Sequence, residues 1–152
     1  MDPYLLHGNT VAAVTDRAAQ LAQGLFKASR DAKNAKREVQ EVANKVSLLS
    51  MSLESSEDAL QNCYLLYQPA FASRIVEVAE WCRLIFSDIE KIIGFREEKR
   101  WKSVVERLGF CLEKDRRRLL LASLESLKST LIILLHVVAL ARLHAQDPDC
   151  DS

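Results

Sequence analysis

Apolar residues recur every three or four positions along most of the chain. The first run is Val11, Val14, Ala18, Leu21 and Leu25, and the second is Val39, Val42, Val46, Leu49, Leu53, Leu60 and Tyr67. That is the period of a helix with one buried face; the strict alternation of a half-buried strand is missing. Between the runs, Gly24 and the polar Ser29-Arg30-Asp31 read as a stop followed by a new N-cap. The two runs share one heptad phase, which Ala28, Ala32 and Ala35 carry across the gap. A single coiled-coil helix from about residue 10 to 67 is therefore the competing arrangement. The break is preferred, because consecutive small residues make a weak seam.

Pro69 closes the second run and suits the first turn of a third helix. There Phe71, Ile75, Val78, Cys82, Ile85, Ile89 and Ile92 form the apolar stripe, widened by Ala79, Phe86 and Ile93. Trp81 borders that stripe and is expected in the core. Gly94 reads as the residue just past the helix, and Phe95 to Lys102 as a polar loop. Ser103 and Glu106 have capping-box spacing for a short helix to Phe110. The last helix is expected from near Asp115 to about Ala145. Its first half is amphipathic through Leu120, Leu124, Leu127 and Leu131. Its second half, from Leu131 to Val138, is apolar on nearly every side, as in a helix surrounded by others. The expected fold is all-α: an up-and-down bundle of four to five helices with a central hydrophobic C-terminal helix. Residues 1–145 form one domain and 146–152 an acidic tail or linker.

Composition agrees with that reading and removes others. Only 4 Gly and 3 Pro occur in 152 residues, too few for the turns of a sandwich or barrel. At 49% hydrophobic and 28% charged, the chain can bury a core. Lys+Arg and Asp+Glu are 21 each, so global charge offers nothing to nucleic acid. Cys63, Cys82, Cys111 and Cys150 show no C-x-x-C spacing, and the N-terminus lacks a secretory pattern. Reduced thiols and a cytoplasmic location are expected. Leu131 to Ala141 falls short of the ~20 residues a spanning helix needs, so a constitutive membrane protein is set aside.

Chemistry is sparse. His136 and His144 lie eight apart, too far for two ligands of one metal on a helix. No phosphate-cradling glycine loop, G-x-S-x-G or H-E-x-x-H occurs. No enzyme, metal, cofactor or small-molecule substrate is expected. Local charge is more informative. Between Phe95 and Arg118 nine basic residues face five acidic ones, while Met51 to Gly94 carries three basic against seven acidic. Arg116, Arg117 and Arg118 fall in the first turn of the last helix, where cations oppose the helix dipole. With Trp101 and Lys102 they form the candidate contact for an acidic protein face or an anionic membrane.

Several segments resemble a known family. They are the opening Met1-Asp2-Pro3 before a small-residue-rich helix, Phe86-Ser87-Asp88-Ile89-Glu90-Lys91, Arg100-Trp101-Lys102, Lys114-Asp115, and Leu124-Glu125-Ser126-Leu127-Lys128-Ser129-Thr130-Leu131. In order and spacing they resemble the fungal N-terminal domain of STAND (NOD-like) proteins, the group that includes the azaphilone pigment cluster protein L N-terminal domain. The resemblance covers nearly the whole chain to about Leu143. It implies a HeLo-like helical bundle at the front of NOD-like or ankyrin-repeat proteins. It further implies action by self-association or partner docking, and membrane targeting on activation in regulated cell death. The alternative is a structural coiled-coil oligomerisation protein.

Overall fold

The structure, a computed structural model, describes residues 3–31, 36–62, 69–93 and 114–146. All four segments are helices: α1 (Pro3–Asp31), α2 (Lys36–Asn62), α3 (Pro69–Ile93) and α4 (Lys114–Gln146). No strand occurs among the described residues. The short helix expected over Ser103–Phe110, the Gly94 stop, Ala32, Ala35 and the tail beyond Gln146 lie outside them.

Two helices replace the single coiled coil weighed above. α1 and α2 pack along one another, with only residues 32–35 between them, so the chain reverses. Gly24 does not end α1; the helix runs on to Asp31. Ser29 is buried, and its hydroxyl donates to Phe26 O at 2.7 Å inside the last turns rather than capping a new helix. The shared heptad phase is used inside one chain. Val11, Val14, Ala18, Leu21, Leu25 and Ala28 meet Val39, Val42, Val46, Leu49 and Leu53, every one at 3% exposure or less.

α3 and α4 complete a four-helix ring. α1 and α4 each pack on both α2 and α3, α2 and α3 meet only marginally, and among the described residues α1 and α4 do not meet. The order around the bundle is therefore α1-α2-α4-α3. Ala59 and Leu60 late in α2, Phe71 and Ala72 early in α3, and Val138 late in α4 line one small cavity. Those ends lie together, so the helices alternate up and down along the chain. α2 and α3 stand diagonally across the ring.

The buried stripe of α3 is Ala72, Ile75, Val78, Ala79, Cys82, Phe86 and Ile89. It is turned from the sequence-based stripe toward its small residues, so that Phe71 is only half-buried. Trp81 is a correction: it is 59% exposed, because it sits about 120° round the helix from the middle of that stripe at 100° per residue. α4 differs as well. It is the apolar C-terminal helix expected, and Leu124, Leu127 and Leu131 are buried. Its distal half is not enclosed: Ile133, Leu140 and Leu143 are 62%, 65% and 66% exposed. Among the described residues α4 has only α2 and α3 beside it, and in the register set by the Lys45–Glu125 ion pair α2 ends level with Arg142, so that Leu143 lies beyond it.

Candidate functional site

Three buried hydroxyls show how little polar chemistry the core holds. Thr15 Oγ1 donates to Val11 O at 2.8 Å and Ser56 Oγ to Ser52 O at 2.8 Å, as Ser29 does to Phe26. Each is satisfied by its own helix and none is aimed at a ligand. Burial pushes the Cys82 thiol up to about 12, so it stays protonated at neutral pH and is a poor nucleophile. No group of three His, Cys, Asp or Glu able to hold a metal occurs among the described residues.

Ion pairs tie the helices together at the surface of the bundle. Arg17 on α1 grips Glu90 on α3 through both carboxylate oxygens, with Nε–Oε1 at 2.9 Å and Nη2–Oε2 at 2.5 Å, and Nη2 also donates to Ser87 Oγ at 3.1 Å. The bond to Glu90 raises the Arg17 pKa still further, so its charge is permanent. Lys45 on α2 meets Glu125 on α4 at 2.6 Å, and Lys128 meets the same carboxylate at 2.9 Å. Hydrogen bonds from Lys45, then Lys128, hold the Glu125 carboxyl below its ordinary range. Glu57 is pushed the other way, by desolvation first and then by Asp16, Asp58 and Glu54. Phe86, Ile89, Leu124, Leu127 and Leu131 are core, Ser87, Glu90 and Glu125 make these cross-links, and Lys128 supports Glu125 from within α4.

The sequence-predicted contact residues are only partly placed. Arg116 and Arg118 are exposed and Arg117 half-buried at the start of α4, and none pairs with an acidic group among the described residues. Trp101 and Lys102 lie outside the described residues. His136 is exposed.

One concave feature among the described residues was missed by sequence reasoning. A groove of about 510 Å³ runs between α3 and α4. Val78, Trp81 and Ile85 form one wall, and Ala122, Ser123, Ser126 and Thr130 the other, with Leu127 and Leu134 beneath. Arg74 and Glu77, paired at 3.2 Å, stand at its rim. Ser123 Oγ donates to Leu119 O and Thr130 Oγ1 to Ser126 O, both at 2.9 Å. With those hydroxyls turned to their own helix, the wall offers mostly carbon. Beyond Leu134 the apolar surface continues over Ile133, Val137, Leu140 and Leu143. The available signal was the run of small residues on α4 facing a lone tryptophan on α3.

The same helix has a second property. Within Asp115–His144 one 18-residue window has a mean hydropathy of 1.7, with 17% of it buried. By length and composition the helix could cross a membrane, which the shorter stretch Leu131–Ala141 alone did not suggest. Comparison with known proteins returns no match, whether to family models, to curated proteins or to solved structures.

Proposed function

We propose that the chain is a cytoplasmic interaction module of the fungal STAND N-terminal type, a non-enzymatic helical bundle that docks a protein through the α3–α4 face. The observation that carries this reading is the apolar surface running from the Trp81 groove to Leu143. Exposed apolar surface that continuous is uncommon on a monomer and marks binding sites. The family resemblance adds that such a module stands before a nucleotide-binding or ankyrin region and passes on a self-association or docking event. The test is the full reading frame. A nucleotide-binding or ankyrin region after residue 152 supports the reading, and an enzyme domain alone in that place contradicts it. In that frame Trp81→Ala is expected to weaken docking at least tenfold with an unchanged melting temperature.

A second reading, attachment to an anionic membrane, draws on the same helix. Arg116, Arg117 and Arg118 precede its apolar window, and each basic residue near an anionic surface contributes ~1 kcal/mol. Changing all three to Gln is expected to abolish co-sedimentation with anionic liposomes, and added salt to weaken it. Wild-type protein that ignores such liposomes removes this reading.

A further inference from the structure

We infer that the chain forms an antiparallel homodimer in which α4 of one copy lies along α4 of a second, about a two-fold axis near Thr130. The inference rests on the interaction-module reading for its choice of face, and it names the partner as a second copy of this chain. α4 uses one stripe, Leu124, Leu127 and Leu131, to bury itself in its own bundle. A different row, Leu119, Ser126, Ile133 and Leu140, repeats every seven residues on the open side, with Ser123, Thr130 and Val137 interleaved. This is the spacing of a helix-pairing seam.

The seam is lopsided, and that sets the direction. Past Leu119, which is 69% exposed, its proximal half is small, with Ser123 and Ser126 lining the groove. Its distal half is bulky and exposed: Ile133 at 62%, Val137 at 39%, Leu140 at 65%. About an axis at Thr130, Val137 of one copy is level with Ser123 of the other, Ile133 lies within one residue of the level of Ser126, and Leu140 within one residue of that of Leu119. Bulk enters groove twice, once for each copy. A parallel pair would set bulk against bulk and leave both grooves open. The hydroxyls of Ser123 and Thr130 already donate to their own helix, so covering these two strands no donor, and the one hydroxyl of the row without such a bond is that of Ser126.

Charge selects the same direction. Arg116 and Arg118 are exposed at the start of α4. An antiparallel partner brings the end of its own α4 there, with the negative pole of the helix dipole and with His144 level with Arg116. A parallel partner would bring three more arginines. Arg142 is about 200° round the helix from Leu140 and so off the seam. A net charge of zero adds no long-range repulsion between copies.

The experiment is the mass of the full chain in solution by light scattering across micromolar to millimolar concentration. Wild type is expected at twice 17.2 kDa. Ile133→Glu with Leu140→Glu, and separately Ser126→Trp, are expected at the single mass with helical circular dichroism unchanged. Orientation is read by oxidative cross-linking with Cys63, Cys111 and Cys150 changed to Ser. Thr130→Cys is expected to cross-link to itself. Leu119→Cys is expected to cross-link to Leu140→Cys in a mixture and not to itself. A wild type that is monomeric throughout overturns the dimer. So do a dimer untouched by both sets of changes, Leu119→Cys joining to itself, and a monomer that instead enters neutral phosphatidylcholine vesicles. The dimer fails on mass and the interaction-module reading on the region after residue 152, so the two failures are distinguishable.

Discussion

Leu131 and Leu140 sit on one helix nine positions apart, yet one is fully buried and the other 65% exposed. Leu131→Ala removes packed methyl groups and should cost about 2–5 kcal/mol, measured by chemical denaturation. Leu140→Ser should change the stability of the monomer by no more than about 0.5 kcal/mol. Ser56 gives the opposite test. It holds a seam position of α2 at 0% exposure, its hydroxyl bonded only to the Ser52 carbonyl. That carbonyl keeps its place in the helix ladder without it, so Ser56→Ala orphans nothing and restores a good helix former. It should leave stability unchanged or raise it by up to about 1 kcal/mol.

Between elements, two carboxylates respond to pH with opposite sign. Glu125, tied to Lys45 and Lys128, has a lowered pKa. The folded state therefore binds its proton less readily than the unfolded chain, and the stabilisation is present at neutral pH and lost as pH falls through the lowered value. Glu57 has a raised pKa, so it weakens the fold at neutral pH and is relieved on acidification. Glu125→Gln should lower the melting temperature at pH 7 and converge on wild type in strong acid. Glu57→Gln should raise it at pH 7 and have no effect below the carboxylate range. The α1–α2 hairpin was legible in the sequence because spacing alone assigns each seam position, from Val11 to Ala28 and from Val39 to Leu53. Trp81 and the distal face of α4 were not. Periodicity tells which residues share a face but not how many neighbours a helix acquires, and a helix apolar all round looks the same whether enclosed or open. The groove was hidden for a related reason, since Ser123 and Ser126 become apolar surface only once a tryptophan on another helix stands across from them.

For the molecule as a whole, the ring order α1-α2-α4-α3 leaves α4 held among the described residues by α2 and α3, the same two helices that hold α1 from the other side. The face that α4 turns outward is thus a property of the topology, and no single substitution in the core would close it. Far-ultraviolet circular dichroism should show helix without appreciable strand. The Arg17–Glu90 clamp is the one cross-link between α1 and α3 in which both carboxylate oxygens are engaged among the described residues. Its side chains are 33% and 24% exposed, so solvent screens it, and Glu90→Gln should cost no more than about 1 kcal/mol.

The seam between α1 and α2 also bears on how the chain reaches this state. Its contacts join residues close in sequence across a short reversal, so little loop-closure entropy opposes them. The pairing of α4 with α2 joins residues as far as 80 apart in sequence and must instead wait for α3. The hairpin is then the natural nucleus. Leu21→Ala should slow refolding by most of its equilibrium cost, whereas Leu127→Ala should chiefly hasten unfolding. Stopped-flow chevrons of the two variants would reverse that order if the bundle instead condensed first around α3 and α4.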